Sequence, residues 1–154
     1  MNVNLLLEVW GVLAGALFLA LLAFVSVTDM QKRLIPNQAV LILLILGLLN
    51  MGSAAYQDQV WWQYPAGLLI ALPFLLAWMR GGMGAGDVKL IMTCGLFLGL
   101  PAGIAIIGMM LIILVGIAVY LGIRRRSMKT RIPLGPVIAA AAAAASIPYM
   151  IRVL

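Results

Sequence analysis

Long apolar stretches alternate with short polar breaks along almost the whole chain. A membrane-spanning helix needs about 20 mostly apolar residues, and six stretches approach or reach that length. Their approximate bounds are 5–27, 35–51, 62–79, 87–100, 102–123 and 132–151. The pattern therefore predicts an all-α, polytopic integral membrane protein of about six transmembrane helices, with residues 1–154 forming a single membrane-embedded domain.

The polar breaks contain residues that typically begin or end helices. Pro36 suits the first turn of the second helix, where a missing N–H costs no hydrogen bond. Trp61 and Trp62 are expected at the membrane interface, where the third helix begins. The fourth stretch is short for a full crossing. We expect either that the glycine-rich segment before it enters the membrane, or that Pro101 ends a helix that lies low in the bilayer.

The composition supports a lipid environment. Hydrophobic residues make up 66% of the chain and charged residues 9%, with a mean hydropathy of +1.19. Ordinary soluble domains are about 45–50% apolar and about 25% charged, so a lipid bilayer is the predicted surrounding. The first stretch is interpreted as a mature transmembrane helix, because no Lys or Arg precedes it and it exceeds the roughly 7–15 apolar residues of a signal peptide.

The net charge of +6 is interpreted as a signal for membrane orientation and not for nucleic-acid binding. Nine of the ten basic residues fall in or beside the loops after the first, third and fifth predicted helices. They are Lys32, Arg33, Arg80, Lys89, Arg124, Arg125, Arg126, Lys129 and Arg131. Cytoplasmic loops carry excess Lys and Arg, so these loops are predicted to face the cytoplasm and both termini the other side.

Residue types that are missing or rare exclude several chemistries. The chain has no histidine, which excludes a histidine base and a Ser-His triad within it. Cys94 is the single cysteine, so the chain forms no internal disulfide, and one cysteine makes no zinc site. We interpret Cys94 as a small core residue, and we predict no metal and no cofactor.

Two of the four acidic residues are candidates for catalysis. Glu8 and Asp58 lie on the predicted outer side and are interpreted as surface groups. Asp29 ends the first helix and Asp87 begins the fourth, which places both near the cytoplasmic face. Two carboxylates that lie close together at low dielectric share one proton, the arrangement with which aspartic proteases activate water. The alternative for Asp29 is a polar residue at a helix end, followed by a basic anchor loop.

The segment before Asp87 is rich in glycine, with four glycines in the six positions 81–86. Glycine allows backbone conformations closed to other residues and a close approach to a ligand. An extended peptide is therefore able to pair with this segment, as in β-augmentation. The alternative is a flexible turn between helices in which Asp87 is the N-cap.

Three motifs together resemble those of the type IV prepilin peptidases, a branch of the GxGD membrane aspartic peptidases. The first is an Asp followed by Pro seven positions later and then by Asn, formed by Asp29, Pro36 and Asn37. The second is Gly-x-Gly-Asp-x-Lys, and the third is Ile-Pro-x-Gly-Pro. Their residues are Gly84, Gly86, Asp87 and Lys89, and then Ile132, Pro133, Gly135 and Pro136. With the predicted helices in matching order, the resemblance covers nearly the whole chain.

The resemblance implies a catalytic pair, a substrate and a location. Asp29 and Asp87 correspond to the catalytic acids. The other matched residues are assigned to substrate positioning: Pro36, Gly84, Gly86, Lys89, Pro133, Gly135 and Pro136. The implied partner is a pilin-like precursor whose short basic leader is cut just before a hydrophobic helix. The implied location is the bacterial inner membrane, with the site facing the cytoplasm.

The chain also departs from the larger members of that family. Those members have a cytoplasmic insert with paired Cys-x-x-Cys motifs and also methylate the new N-terminus, whereas this sequence has one cysteine. It resembles the compact peptidases of tight-adherence, or Flp-type, pilus systems, which implies proteolysis without methylation. Lys89 is a candidate to bind an acidic precursor side chain, to tune the two acids, or to anchor the helix at the interface.

Two other functions are compatible with some of the same residues. A transport or proton-relay protein also uses intramembrane acids and glycine-broken helices. However, both acids lie near one face, and the outer halves of the helices are almost wholly apolar. A presenilin-like enzyme shares Gly-x-Gly-Asp but has its first Asp after Tyr in mid-helix. Here Thr28 precedes Asp29, at the end of the first helix.

Overall fold

The computed structural model describes residues 3–123 and 133–153. All regular structure in those ranges is helical, which confirms the all-α prediction. The elements are α1 Val3–Lys32, α2 Asn37–Tyr56, α3 Gln63–Ala66, a 3-10 helix Gly67–Ala71, α4 Leu72–Met79, α5 Ala85–Leu98, α6 Leu100–Ile123, α7 Leu134–Ala145 and α8 Ile147–Val153. The basic loop residues from Arg124 to Arg131, and Ile132 of the third motif, lie outside the described residues.

Four helical segments are long and apolar enough to cross a membrane, which agrees with a multi-pass membrane protein. They are Leu6–Lys32, Asn37–Tyr56, Leu100–Tyr120 and Leu134–Ile151. The segment Gln63–Met79 is apolar but shorter, and α5 has 14 residues. Within the described residues, four of the six predicted helices therefore reach the length of a crossing, and the third and fourth correspond to shorter helical segments.

The third pass is interrupted, where the sequence analysis predicted one continuous helix. It is divided into α3, the 3-10 helix and α4, and proline lies at the start of α4. The 3-10 segment coincides with a backbone contact between Gly67 and Gly95 of α5. A Cβ at either glycine would overlap the other's backbone, so only glycine permits this approach. The tighter 3-10 geometry accompanies this close crossing.

The boundary between α5 and α6 also differs from the expectation based on Pro101. Gly99 separates the two helices with φ +83° and ψ 171°, a backbone region that is open essentially to glycine alone. Pro101 instead lies in the first turn of α6, where its missing N–H breaks no helix hydrogen bond. Of the two alternatives for the short fourth helix, the one in which Pro101 ends it is therefore wrong.

Helix α5 forms the centre of the bundle. It packs against α2, α6, α7 and the third pass, and most of its length from Val88 to Leu98 is buried. Cys94 is fully buried there, as predicted for a core residue. Helix α7 packs closely on α1 and α6 through its alanines. Large apolar side chains such as Leu13 and Ile112 are exposed on the outside, as expected for a surface that lipid covers.

Candidate active site

Three segments remote in sequence meet at one end of the bundle and enclose a cavity of about 520 Å³. They are the last turn of α1, the glycine-rich segment that leads into α5, and the start of α7. The residues that line the cavity are Asp29, Arg33, Gly81, Gly82, Met83, Gly84, Asp87, Pro133 and Leu134. The alternating direction of the passes brings these three helix ends together.

Asp29 is buried, with 7% of its surface exposed. Its Oδ2 atom accepts a hydrogen bond of 2.9 Å from the backbone N–H of Gly135. Pro133 is the N-cap of α7, so Gly135 is the second helical residue and its N–H has no partner within its own helix. Asp29 therefore caps α7 from a different helix. The positive end of the α7 dipole offsets the unfavourable position of Asp29 at the C-terminal end of α1.

Asp87 lies in the first turn of α5 and is half-buried. The backbone N–H of Gly84, the N-cap residue of α5, donates to the Asp87 carboxylate. An acid at the third helical position that reaches back to the N-cap N–H forms half of a capping box. The alternative in which Asp87 is itself the N-cap is therefore wrong, because Gly84 occupies that position.

The carboxylates of Asp29 and Asp87 face the same cavity, although the two residues are 58 positions apart in sequence. They lie close enough for the charge of Asp29 to act on Asp87. Each is held by a backbone N–H at the beginning of a helix, one from α7 and one from α5. This arrangement fixes two acid groups around a space large enough to admit water and part of a peptide.

The other residues assigned to substrate positioning divide into two groups. Gly84 and Pro133 line the cavity, and Gly135 contacts Asp29. The remaining four are not among the cavity-lining residues: Pro36, Gly86, Lys89 and Pro136.

Two of those four, Gly86 and Lys89, belong to the second motif and contact the segment between α1 and α2 or the start of α2. The Lys89 Nζ atom donates to Asn37 Oδ1 at 3.2 Å, which ties the start of α5 to the start of α2. A Cβ at Gly86 would lie 3.0 Å from the Cβ of Ile35. Pro36 is the N-cap of α2 and precedes its first turn. These contacts hold α5 in place beside the cavity.

The sequence analysis did not single out Arg33 as a site residue. Arg33 lines the cavity and has a left-handed backbone with φ +51°, which is costly for a residue other than glycine. Arg33 directly follows the last residue of α1, and its backbone N–H donates to the carbonyl of Asp29 at 2.8 Å; its closeness to Asp29 in sequence was the available signal. Within residues 3–123 and 133–153, no group of three or more His, Cys, Asp or Glu side chains is arranged to hold a metal ion.

Comparison with known proteins gives matches to leader peptidases. The model of the type IV leader peptidase family matches residues 16–123. A prepilin leader peptidase/N-methyltransferase of Aeromonas hydrophila is 35% identical over 143 residues, which cover 86% of this chain and 48% of the relative. A protein of the same description from Aeromonas salmonicida (strain A449) is 32% identical over 148 residues. The chain spans about half the length of these curated relatives, and no solved structure gives a significant match.

Proposed function

The chain belongs to the type IV leader peptidase family, and on that premise we propose that it is a membrane aspartic endopeptidase. It removes the short basic leader from a type IV pilin-like precursor, with Asp29 and Asp87 as the catalytic pair. The observation that carries the proposal is their convergence: the two acids line one cavity and each accepts a backbone N–H at a helix start.

The chemistry follows from two carboxylates that hold one proton between them. The ionised acid removes a proton from a bound water, and the protonated acid donates a hydrogen bond to the oxygen of the scissile carbonyl. Water attacks the carbonyl carbon to give a tetrahedral intermediate. A proton then passes to the leaving amine, and the C–N bond breaks. Each general acid–base step of this kind typically contributes about 10²–10⁴-fold.

The glycine-rich side of the cavity is suited to an extended substrate. Gly81 and Gly82 line the cavity, and each has room where a Cβ would project. A peptide backbone is able to approach this segment closely, because no side chains stand between the two backbones. The leader-proximal peptide bond then lies along residues 81–84, with its carbonyl directed at the acids.

The membrane orientation and the precursor class complete the proposal. The cavity lies at the end of the bundle where Arg33 and Arg80 occur, and basic loops are retained in the cytoplasm. The site therefore faces the cytoplasm of a bacterial inner membrane, with both ends of the chain on the other side. The precursor is of the Flp type, and the proposal concerns the peptidase reaction alone.

Co-expression with an Flp-type pilin precursor, in a host without its own prepilin peptidase, tests the proposal. Wild type should yield a pilin shortened by the leader, detected by mass spectrometry of the membrane fraction. Asp29→Asn and Asp87→Asn should each leave the precursor intact, because asparagine cannot activate water or exchange the proton. Asp58→Asn is the matched control, since Asp58 is exposed at the opposite end of the bundle, and it should process normally.

Processing by the variants and by wild type is compared only where both proteins are present in the membrane in equal amounts. Normal cleavage by either catalytic variant would overturn the assignment of the pair. Failure of wild type to cleave any precursor, together with a proton flux that Asp29→Asn abolishes, would favour the proton-relay alternative.

A further inference from the structure

The start of α7 is built around the contact between Gly135 and Asp29. A Cβ at position 135 would lie 2.8 Å from both the Cβ and the Oδ2 of Asp29, and 3.0 Å from its Cγ. The Cβ of Asp29 is fixed to the backbone of α1 and has no torsion with which to move aside. A larger residue at 135 must therefore displace either the carboxylate or the whole start of α7.

The sequence around Gly135 also limits which donor can reach Asp29. Pro133 at the N-cap and Pro136 at the third helical position have no backbone N–H. Leu134 and Gly135 are then the two N–H donors before the fourth helical residue of α7. The observed bond uses Gly135, the position at which no side chain separates the two helices.

The two carboxylates thus differ in what holds them. Asp87 is held by Gly84, three residues earlier in the same local structure. Asp29 is held by Gly135, 106 positions away in sequence. The position of Asp29 relative to Asp87 therefore depends on how α7 packs against α1, and Gly135 is the contact that transmits that packing to the carboxylate.

We propose that Gly135 is a positioning residue for Asp29: its N–H orients the carboxylate, and its missing side chain lets α7 come close enough to donate. This inference rests on the proposed peptidase function and changes the role predicted for Gly135, from contact with substrate to support of a catalytic acid.

The test is the steady-state kinetics of Gly135→Ala, purified and reconstituted with a pilin-like precursor. We expect kcat to fall about 10–100-fold, since displacement of a reacting group by about 1 Å costs about that much. We expect KM to stay near the wild-type value. Both constants are expressed per folded molecule in the membrane fraction, so that a loss of folded protein does not count as a loss of rate.

Gly108→Ala is the matched control. Gly108 lies in α6 with no atom within 4 Å of a Cβ built there, so this variant should match wild type in kcat and KM. If Gly135→Ala fails to insert, replacement of the 135 backbone amide by an ester removes the N–H without adding volume. That variant should show the same fall in kcat at an unchanged KM.

The possible outcomes separate the two proposals. An increase in KM with an unchanged kcat would mean that Gly135 contacts substrate, which overturns the positioning role. Wild-type kinetics in Gly135→Ala would also overturn it, while leaving the peptidase function intact. Absence of cleavage by wild type and by Gly108→Ala would instead be a failure of the proposed function.

Discussion

The two ends of the bundle both bury polar side chains, but they satisfy them in different ways. At the cavity end, Asp29 and Asp87 each accept one backbone N–H and face open space. At the far end, the Asn50 Nδ2 atom donates to the carbonyl of Phe97 at 2.9 Å, and the Tyr149 hydroxyl donates to Asn50 Oδ1 at 3.2 Å. This second cluster lies about 15–20 Å farther along the helices, at a rise of about 1.5 Å per residue.

The far cluster is closed by aromatic packing. The Phe97 ring stacks on Phe18 with centroids 4.3 Å apart, and Tyr149 is tilted against Phe97 at 5.5 Å. Phe18 and Phe97 are fully buried. The expectation that the outer halves of the helices are almost wholly apolar missed this cluster, in which Asn50 is 5% exposed.

The contrast separates polar groups that stabilise a fold from polar groups that are available for chemistry. Buried hydrogen bonds that pair protein atoms with each other specify how helices pack. A carboxylate that meets a cavity keeps acceptor capacity for water or substrate. We therefore expect substitutions at the far end to change stability, and substitutions at the cavity end to change catalysis.

The largest expected effect is at the proposed catalytic pair, Asp29 and Asp87. Asp29→Asn and Asp87→Asn should each slow processing by about 10²–10⁴-fold, while the double variant should be no slower than the slower single variant. Residues that act as one unit lose their joint contribution when either is removed. Initial rates of precursor cleavage for the three variants measure this. Losses that multiply in the double variant would mean that the acids act independently.

A smaller effect is expected at the far end, where substitution should lower stability and leave the cleavage rate unchanged. Asn50→Leu should lower the free energy of unfolding by about 1–2 kcal/mol, because the Phe97 carbonyl and the Tyr149 hydroxyl lose their partner. Cleavage per folded molecule should stay at the wild-type value. Tyr149→Phe removes only the hydroxyl and should cost less. Denaturation in mixed micelles and cleavage rates together check this, and loss of cleavage with unchanged stability would contradict it.

The smallest effect concerns backbone strain at the cavity. Arg33→Gly should raise the free energy of unfolding by up to about 1 kcal/mol, because glycine adopts the left-handed conformation without steric cost. It should also slow cleavage severalfold, since the cavity loses a cation from its lining. Denaturation and initial rates measure both effects.

Asp58 provides the matched control for that experiment. It is the other described non-glycine residue with positive φ, at +52°, and it is exposed far from the cavity. Asp58→Gly should therefore give a similar stabilisation with an unchanged cleavage rate. Equal cleavage rates for Arg33→Gly and wild type would mean that the strained conformation of Arg33 only ends α1 and has no effect on catalysis.

Much of the architecture could be predicted, because hydropathy and charge are local properties of the chain. Apolar runs indicated six passes, and the alternation of passes indicated that Asp29 and Asp87 occur at the same end. Breaks within passes were harder to predict. The 3-10 segment depends on the Gly67–Gly95 crossing, which requires knowledge of which helices are neighbours.

The sequence singled out the two candidate acids, Asp29 and Asp87, but not the contacts that support them. The motifs singled out Gly135 and Lys89 without distinguishing contact with substrate from support of the fold. Their partners, Asp29 and Asn37, are 106 and 52 positions away, and no pattern within one helix specifies such pairs. Asn50 and Tyr149, which share a hydrogen bond, are likewise 99 positions apart in sequence.

The sequence by itself determined the membrane environment, the helical class and the identity of the two candidate acids. A chain that is 66% hydrophobic must satisfy its backbone hydrogen bonds internally in lipid, and helices do so from local contacts alone. Only the tertiary structure decided that α7 caps Asp29 and that Lys89 binds Asn37. It also decided that Asn50 forms hydrogen bonds with Phe97 and Tyr149 at the far end. These pairings depend on side-chain packing between helices, which composition and periodicity do not encode.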